Sequence, residues 1–66
     1  MMRAREVIAI LKAAGWYEVR TSGSHQQLRH PARPGVVTVP LHGSRDLKMG
    51  TLISIERQSG LMLRRR

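Results

Sequence analysis

The side chains of this chain best suited to moving protons at neutral pH are three histidines, His25, His30 and His42, because an ordinary imidazole titrates at roughly pH 6.5. His25 follows Gly23-Ser24, a pair with turn chemistry, so it opens a strand at a chain reversal and is available to chemistry rather than to packing. Such a histidine, with arginine or lysine nearby, can take the proton of a ribose 2′-OH, whose oxygen then attacks the adjacent phosphorus. Cations stabilise the developing negative charge and an acid protonates the leaving 5′ oxygen. The base alone contributes roughly 10²- to 10⁴-fold in rate. From the residues alone, a lone exposed histidine on a polar strand is more often an ordinary surface residue, and His25 fits that reading too.

The other histidines read differently. His30 precedes Pro31, which holds it extended, and fits a polar strand terminus. His42 lies in a glycine-containing connection, where it can meet a phosphate together with Arg45 and Lys48 or simply be solvated. The spacing of positions 25, 30 and 42 matches no zinc-ligand pattern, and there is no cysteine, which excludes disulfides, a thiolate metal site and a cysteine nucleophile. The four carboxylates, Glu6, Glu18, Asp46 and Glu56, are scattered over different elements, whereas a metal-dependent nuclease gathers them. No metal site and no cofactor are expected. Trp16 and Tyr17 are the only aromatic residues apart from histidine, a poor supply for a base-stacking groove, and Trp16 is expected to be a partial core or edge residue.

Charge narrows the partners. Twelve Lys and Arg oppose four acids for a net charge of +8, and arginine, the more numerous cation, has a planar fork suited to phosphate oxygens. Nucleic acid or an acidic protein is the natural partner; a face kept soluble by charge is the plainer alternative. With 66 residues and no phenylalanine, the chain has material for one small core and therefore one domain, residues 1–66. The apolar run from Val7 to Leu11 ends at Lys12, too short for a signal sequence or a membrane span, and the expected location is the cytoplasm.

Periodicity supplies the elements that position His25. Val7, Ile8, Leu11 and Ala14 form one stripe of a helix over 4–14, stopped by Gly15. Residues 16–21 alternate as a strand, with Tyr17 and Val19 on one side and Glu18 and Arg20 on the other. A second strand over 24–30 places Leu28 and Gln26 on one face and His25, Gln27 and Arg29 on the other, so that His25 faces solvent if Leu28 faces the helices. Pro31 to Gly35 reads as a wide, stiff loop, Val36 to Val39 as a third strand, and residues 41–46 as a polar connection. A second helix over 48–59 carries Leu52, Ile55 and Ser59 in one row and ends at Gly60. Leu61 to Leu63 can extend beyond it, and Arg64 to Arg66 are expected to be a flexible basic tail. The result is an α+β two-layer sandwich in α-β-β-β-α order, with two helices on one face of a three-stranded antiparallel sheet and the other face open.

Several short stretches then fall together: Gly15-Trp16, Gly23-Ser24-His25, His30-Pro31, Val37-Thr38-Val39-Pro40, Asp46-Leu47-Lys48, Gly50-Thr51-Leu52, Ile55 and Gly60-Leu61. In their order and spacing the chain resembles the HicA, or YcfA-like, family of bacterial mRNA interferase toxins. The resemblance implies a double-stranded-RNA-binding-like fold, ribosome-independent RNA cleavage with His25 essential, and neutralisation by a HicB-type antitoxin. It departs at Leu28, where many members carry an aromatic residue, and at Met49, where many carry proline. On this reading His25 is catalytic, and Ser24, Arg29, His42, Arg45 and Lys48 are candidates for contact with RNA. Two other functions fit the same residues: a non-catalytic module that binds RNA by shape, and a docking surface for an acidic protein.

Overall fold

The computed structural model describes residues 2–43 and 45–64. Ser44, Arg65 and Arg66, assigned above to the connection and the tail, lie outside the described residues. The elements are α1 (Ala4–Ala13), β1 (Tyr17–Ser22), β2 (His25–His30), β3 (Arg33–Pro40) and α2 (Met49–Ser59). The fold is the expected α+β, α-β-β-β-α arrangement, with the antiparallel sheet in the order β1-β2-β3 and β2 central.

Alternation along the inner strands decides which sheet face is covered. Leu28, Val37 and Val39 are fully buried and meet Val7 and Leu11 of α1 and Leu52 and Ile55 of α2 in one core. Both helices therefore lie on that face. Trp16, Leu47 and Leu63 complete the core from the connections and the C-terminal segment. Trp16, expected to be only partly buried, is 3% exposed.

Two strand readings are corrected. The wide loop expected over 31–35 is only a two-residue turn, Pro31-Ala32, because β3 begins at Arg33, paired with His30. Between the pairs Leu28↔Val37 and His30↔Arg33, β3 carries three residues against one on β2, and this bulge accommodates Pro34 and Gly35. A proline without an N–H is tolerated there because β3 is an edge strand. In β1 the expected strict alternation breaks at a second bulge: Glu18 pairs with Leu28, but Arg20 pairs with Gln27, leaving Val19 as the extra residue. Glu18 and Arg20 therefore stand on opposite faces.

The C-terminal segment is also more ordered than expected at Arg64. Glu56 of α2 accepts hydrogen bonds from the backbone N–H groups of Leu63 (2.8 Å) and Arg64 (2.9 Å) and pairs with the Arg64 guanidinium at 2.9–3.0 Å. This tie folds the chain back along α2 and seats Leu63 in the core. The Arg64 side chain, then the two backbone N–H groups, lower the Glu56 pKa to about 2. A depressed carboxylate stabilises the fold above its unfolded pKa and ceases to do so as pH falls through the folded value. Wild-type urea midpoints are thus expected to fall between about pH 4.5 and 2, and Glu56→Gln to remove this component of the fall. Parallel pH profiles for the two proteins would show that the Glu56 tie adds nothing to stability.

Candidate active site on the open sheet face

The β1–β2 hairpin closes at the pair Ser22↔His25, leaving Gly23-Ser24 as its turn. Gly23 has φ +58°, which suits the first central position of a type II′ turn and which residues with a Cβ rarely adopt. The Ser24 carbonyl accepts the Leu41 N–H at 2.6 Å, tying the turn to the exit of β3. On its other side His25 pairs with Pro40. The imidazole is thus carried by a central strand whose start is fixed from both neighbours. With Leu28 buried on the opposite face, His25 is exposed on the open one.

The pairing register gives His25 its neighbours. Ser22 and Pro40 flank it, and Arg20, Gln27 and Thr38 form the next row on the same face. Arg20 is diagonal to His25, a separation of about 7–8 Å that a long side chain spans. The next row joins Tyr17 to Arg29. The open face therefore carries Arg20 and Arg29, and all four carboxylates of the chain lie elsewhere. Glu6 and Glu56 belong to the helices, Asp46 to the connection, and Glu18 is turned to the helix side, where it accepts hydrogen bonds from Thr21 and Gln26.

Sequence reading missed Arg20 as a neighbour of His25, because strict alternation set it on the face opposite Tyr17. The bulge at Val19 reverses that. Arg29 shares the face with His25 but lies two rows away, whereas Ser24 lies in the turn itself. His42 and Arg45 are exposed in the segment after β3, where the Arg45 N–H donates to the His42 carbonyl at 3.1 Å. Asp46 and Leu47 then bridge to the residues ahead of α1, through Arg3↔Asp46 and a 2.8 Å hydrogen bond from the Leu47 N–H to the Met2 carbonyl. Lys48 therefore enters α2 within the helix layer. Arg45 and Lys48 stand at the His25 end of the sheet without joining its open face.

The two sheet histidines have separate fates. Ring nitrogen Nδ1 of His30 accepts the Ala32 N–H at 2.9 Å, so Nε2 carries the proton and donates it to the Ala14 carbonyl at 3.0 Å. The ring also meets Trp16 edge-on, with centroids 5.3 Å apart. Gly15 makes this fit possible: its φ is +101°, and a Cβ there would lie 2.7 Å from His30 Nε2. His30 is thus more than the polar strand terminus read from the sequence; it pins the β2–β3 turn to the end of α1. Among the described residues no hydrogen-bond partner occupies the His25 ring. Nor do three His, Asp or Glu side chains converge there as a metal-binding group.

No helix among the described residues is long and apolar enough to cross a membrane. No curated protein matches the chain. A family model described as the HicA toxin of bacterial toxin-antitoxin systems matches residues 4–61, from the first residue of α1 to just past Gly60. That span contains the entire sheet, both helices and the His25 turn. The chain belongs to the HicA toxin family.

Proposed function

We propose that this toxin is an endoribonuclease, an mRNA interferase that cleaves RNA without a metal ion, with His25 transferring the proton. One observation carries the reading. His25 stands exposed and uncommitted on a sheet face that bears arginines and no carboxylate, while His30, at the other end of the same strand, is locked into the fold.

In this mechanism the imidazole of His25 removes the proton of a ribose 2′-OH. The freed oxygen forms a bond to the adjacent phosphorus, the bond from phosphorus to the 5′ oxygen breaks, and that oxygen takes up a proton as it leaves. The product is a 2′,3′-cyclic phosphate. Arg20 is placed to offset the negative charge that builds on the phosphoryl oxygens. Arg29 holds a more distant phosphate, and Ser24 shapes the turn. His42, Arg45 and Lys48 attract the RNA strand where it passes the end of the sheet. Toxicity of this kind is exerted on mRNA in the cytoplasm, and a HicB-type antitoxin of acidic character neutralises it by covering the open face.

The test is cleavage of a labelled single-stranded RNA in excess EDTA, first to map the scissile nucleotide and then with a 2′-deoxy substitution at that nucleotide. Cleavage should persist in EDTA, yield a cyclic phosphate, and vanish at the deoxy position. A cut at the deoxy position would rule out attack by the 2′ oxygen.

A further inference from the structure

Tyr17 is the large exposed ring of the sheet. It is 48% exposed, whereas the adjacent Trp16 is turned into the core, and Tyr17 takes no part in the core cluster. Its partner across β1–β2 is Arg29, which fixes it on the face that carries His25. From His25 to Arg29 is four residues along β2, about 13 Å at about 3.3 Å per residue. Arg20, Gln27 and Thr38 lie between the two ends. An aromatic ring at one end, a histidine at the other, arginines along the way and no carboxylate among them make a track for a polyanion with planar groups.

We infer that Tyr17 is a base-stacking subsite for single-stranded RNA, set apart from the scissile phosphate at His25. The inference rests on the reading of the open face as an RNA-cleaving surface and names the substrate form that surface takes. A strand laid from His25 towards Arg29 brings its phosphates to Arg20 and Arg29 and one unpaired base over the Tyr17 ring. Stacking of this kind tolerates any base, because every base has a π-face. It also requires the base to be unpaired, so duplex RNA gains nothing from Tyr17. The charge of the track suits any polyanion, and the exposed ring set beside its arginines favours one with planar bases over an acidic protein segment as the occupant.

The experiment separates binding from cleavage by using the His25→Ala protein as the parent and a fluorescent single-stranded RNA as the probe. Tyr17→Leu, which keeps apolar bulk on the strand, and Tyr17→Ala should each weaken binding by about 5- to 150-fold. Tyr17→Phe should retain the parent affinity. The salt slope should stay the same in all three, because stacking neutralises no phosphate. With an abasic nucleotide walked along the probe, one position should lose affinity in the parent and lose nothing further in Tyr17→Leu.

Parent-like affinity in Tyr17→Leu and Tyr17→Ala, an equal loss in Tyr17→Phe, or a flat abasic scan would overturn the subsite. Cleavage by the wild type alongside any of these leaves the nuclease reading standing and removes the Tyr17 subsite alone. Position-specific loss in a chain that cuts no RNA would do the reverse. No RNA binding in any form would overturn both.

Discussion

Replacing His25 by alanine is expected to lower RNA cleavage by about 10²- to 10⁴-fold, the range that a positioned general base contributes, while leaving the fold and the affinity for RNA near wild type. Affinity should persist because the proposed binding rests on arginine contacts to phosphate and on the Tyr17 ring rather than on His25, and log K should fall with log salt at the same slope in both proteins. The fold should persist because the ring is exposed and, among the described residues, makes no hydrogen bond. Alanine in a strand costs at most about 1 kcal/mol on the β-propensity scale. The measurement is cleavage in EDTA beside a circular-dichroism melt and a salt titration of binding. Equal cleavage by both proteins would assign the activity to another residue or to a contaminant. Salt-sensitive binding with no cleavage by either would favour an RNA-binding module. No affinity for RNA, together with tight capture of an acidic partner, would make the open face a protein-docking surface.

What could be read in advance depended on how local the cause was. The stripes Val7-Leu11 and Leu52-Ile55-Ser59 report helices because their period is a property of the segment itself, and all five residues are buried. His25 could be set opposite Leu28 for the same reason, since alternation within one strand needs no partner. Arg20 could not be placed. Its face depends on Val19 bulging in the pairing with β2, and a register shift belongs to two strands at once. Pro34 and Gly35 misled in the opposite sense. Residue types that break an inner strand are admissible in a bulge on an edge, and which strand is the edge is known only from the sheet order.

His30 and Glu56 show the same limit on a longer scale. The Ala14 carbonyl that His30 binds is sixteen residues away, and only the packing of α1 against the sheet brings it near. Arg64 looked like the first residue of a solvated tail because its partner lies a turn before the end of α2, on the side to which the chain returns after Gly60. In each case the residue type was ordinary for its local setting, and a contact distant along the chain gave it its role. The proposed site follows the same division. The Gly-Ser-His turn is a local motif, legible within its own segment; the arginine and tyrosine that share its face are products of register.

Leu28→Ala is expected to remove a large share of the domain's stability and to lower activity with it, without touching the open face. Leu28 is fully buried on the central strand, paired with Glu18 on one side and Val37 on the other, and it packs into the core beneath both helices. Truncating a buried leucine costs about 2–5 kcal/mol, the lost transfer energy plus the cavity. A domain of this length holds roughly 3–10 kcal/mol in all, at about 0.05–0.15 kcal/mol per residue. No disulfide offsets the loss. The urea midpoint should therefore collapse, and cleavage, RNA binding and antitoxin binding should fall together, unlike the selective loss expected of His25→Ala. Leu28→Met conserves volume, should cost less than about 1.5 kcal/mol, and should keep all three properties. A near-normal midpoint for Leu28→Ala would mean that the helices, rather than the central strand, hold the domain together. His25 would then owe its position to the hairpin alone, and activity should survive the cavity.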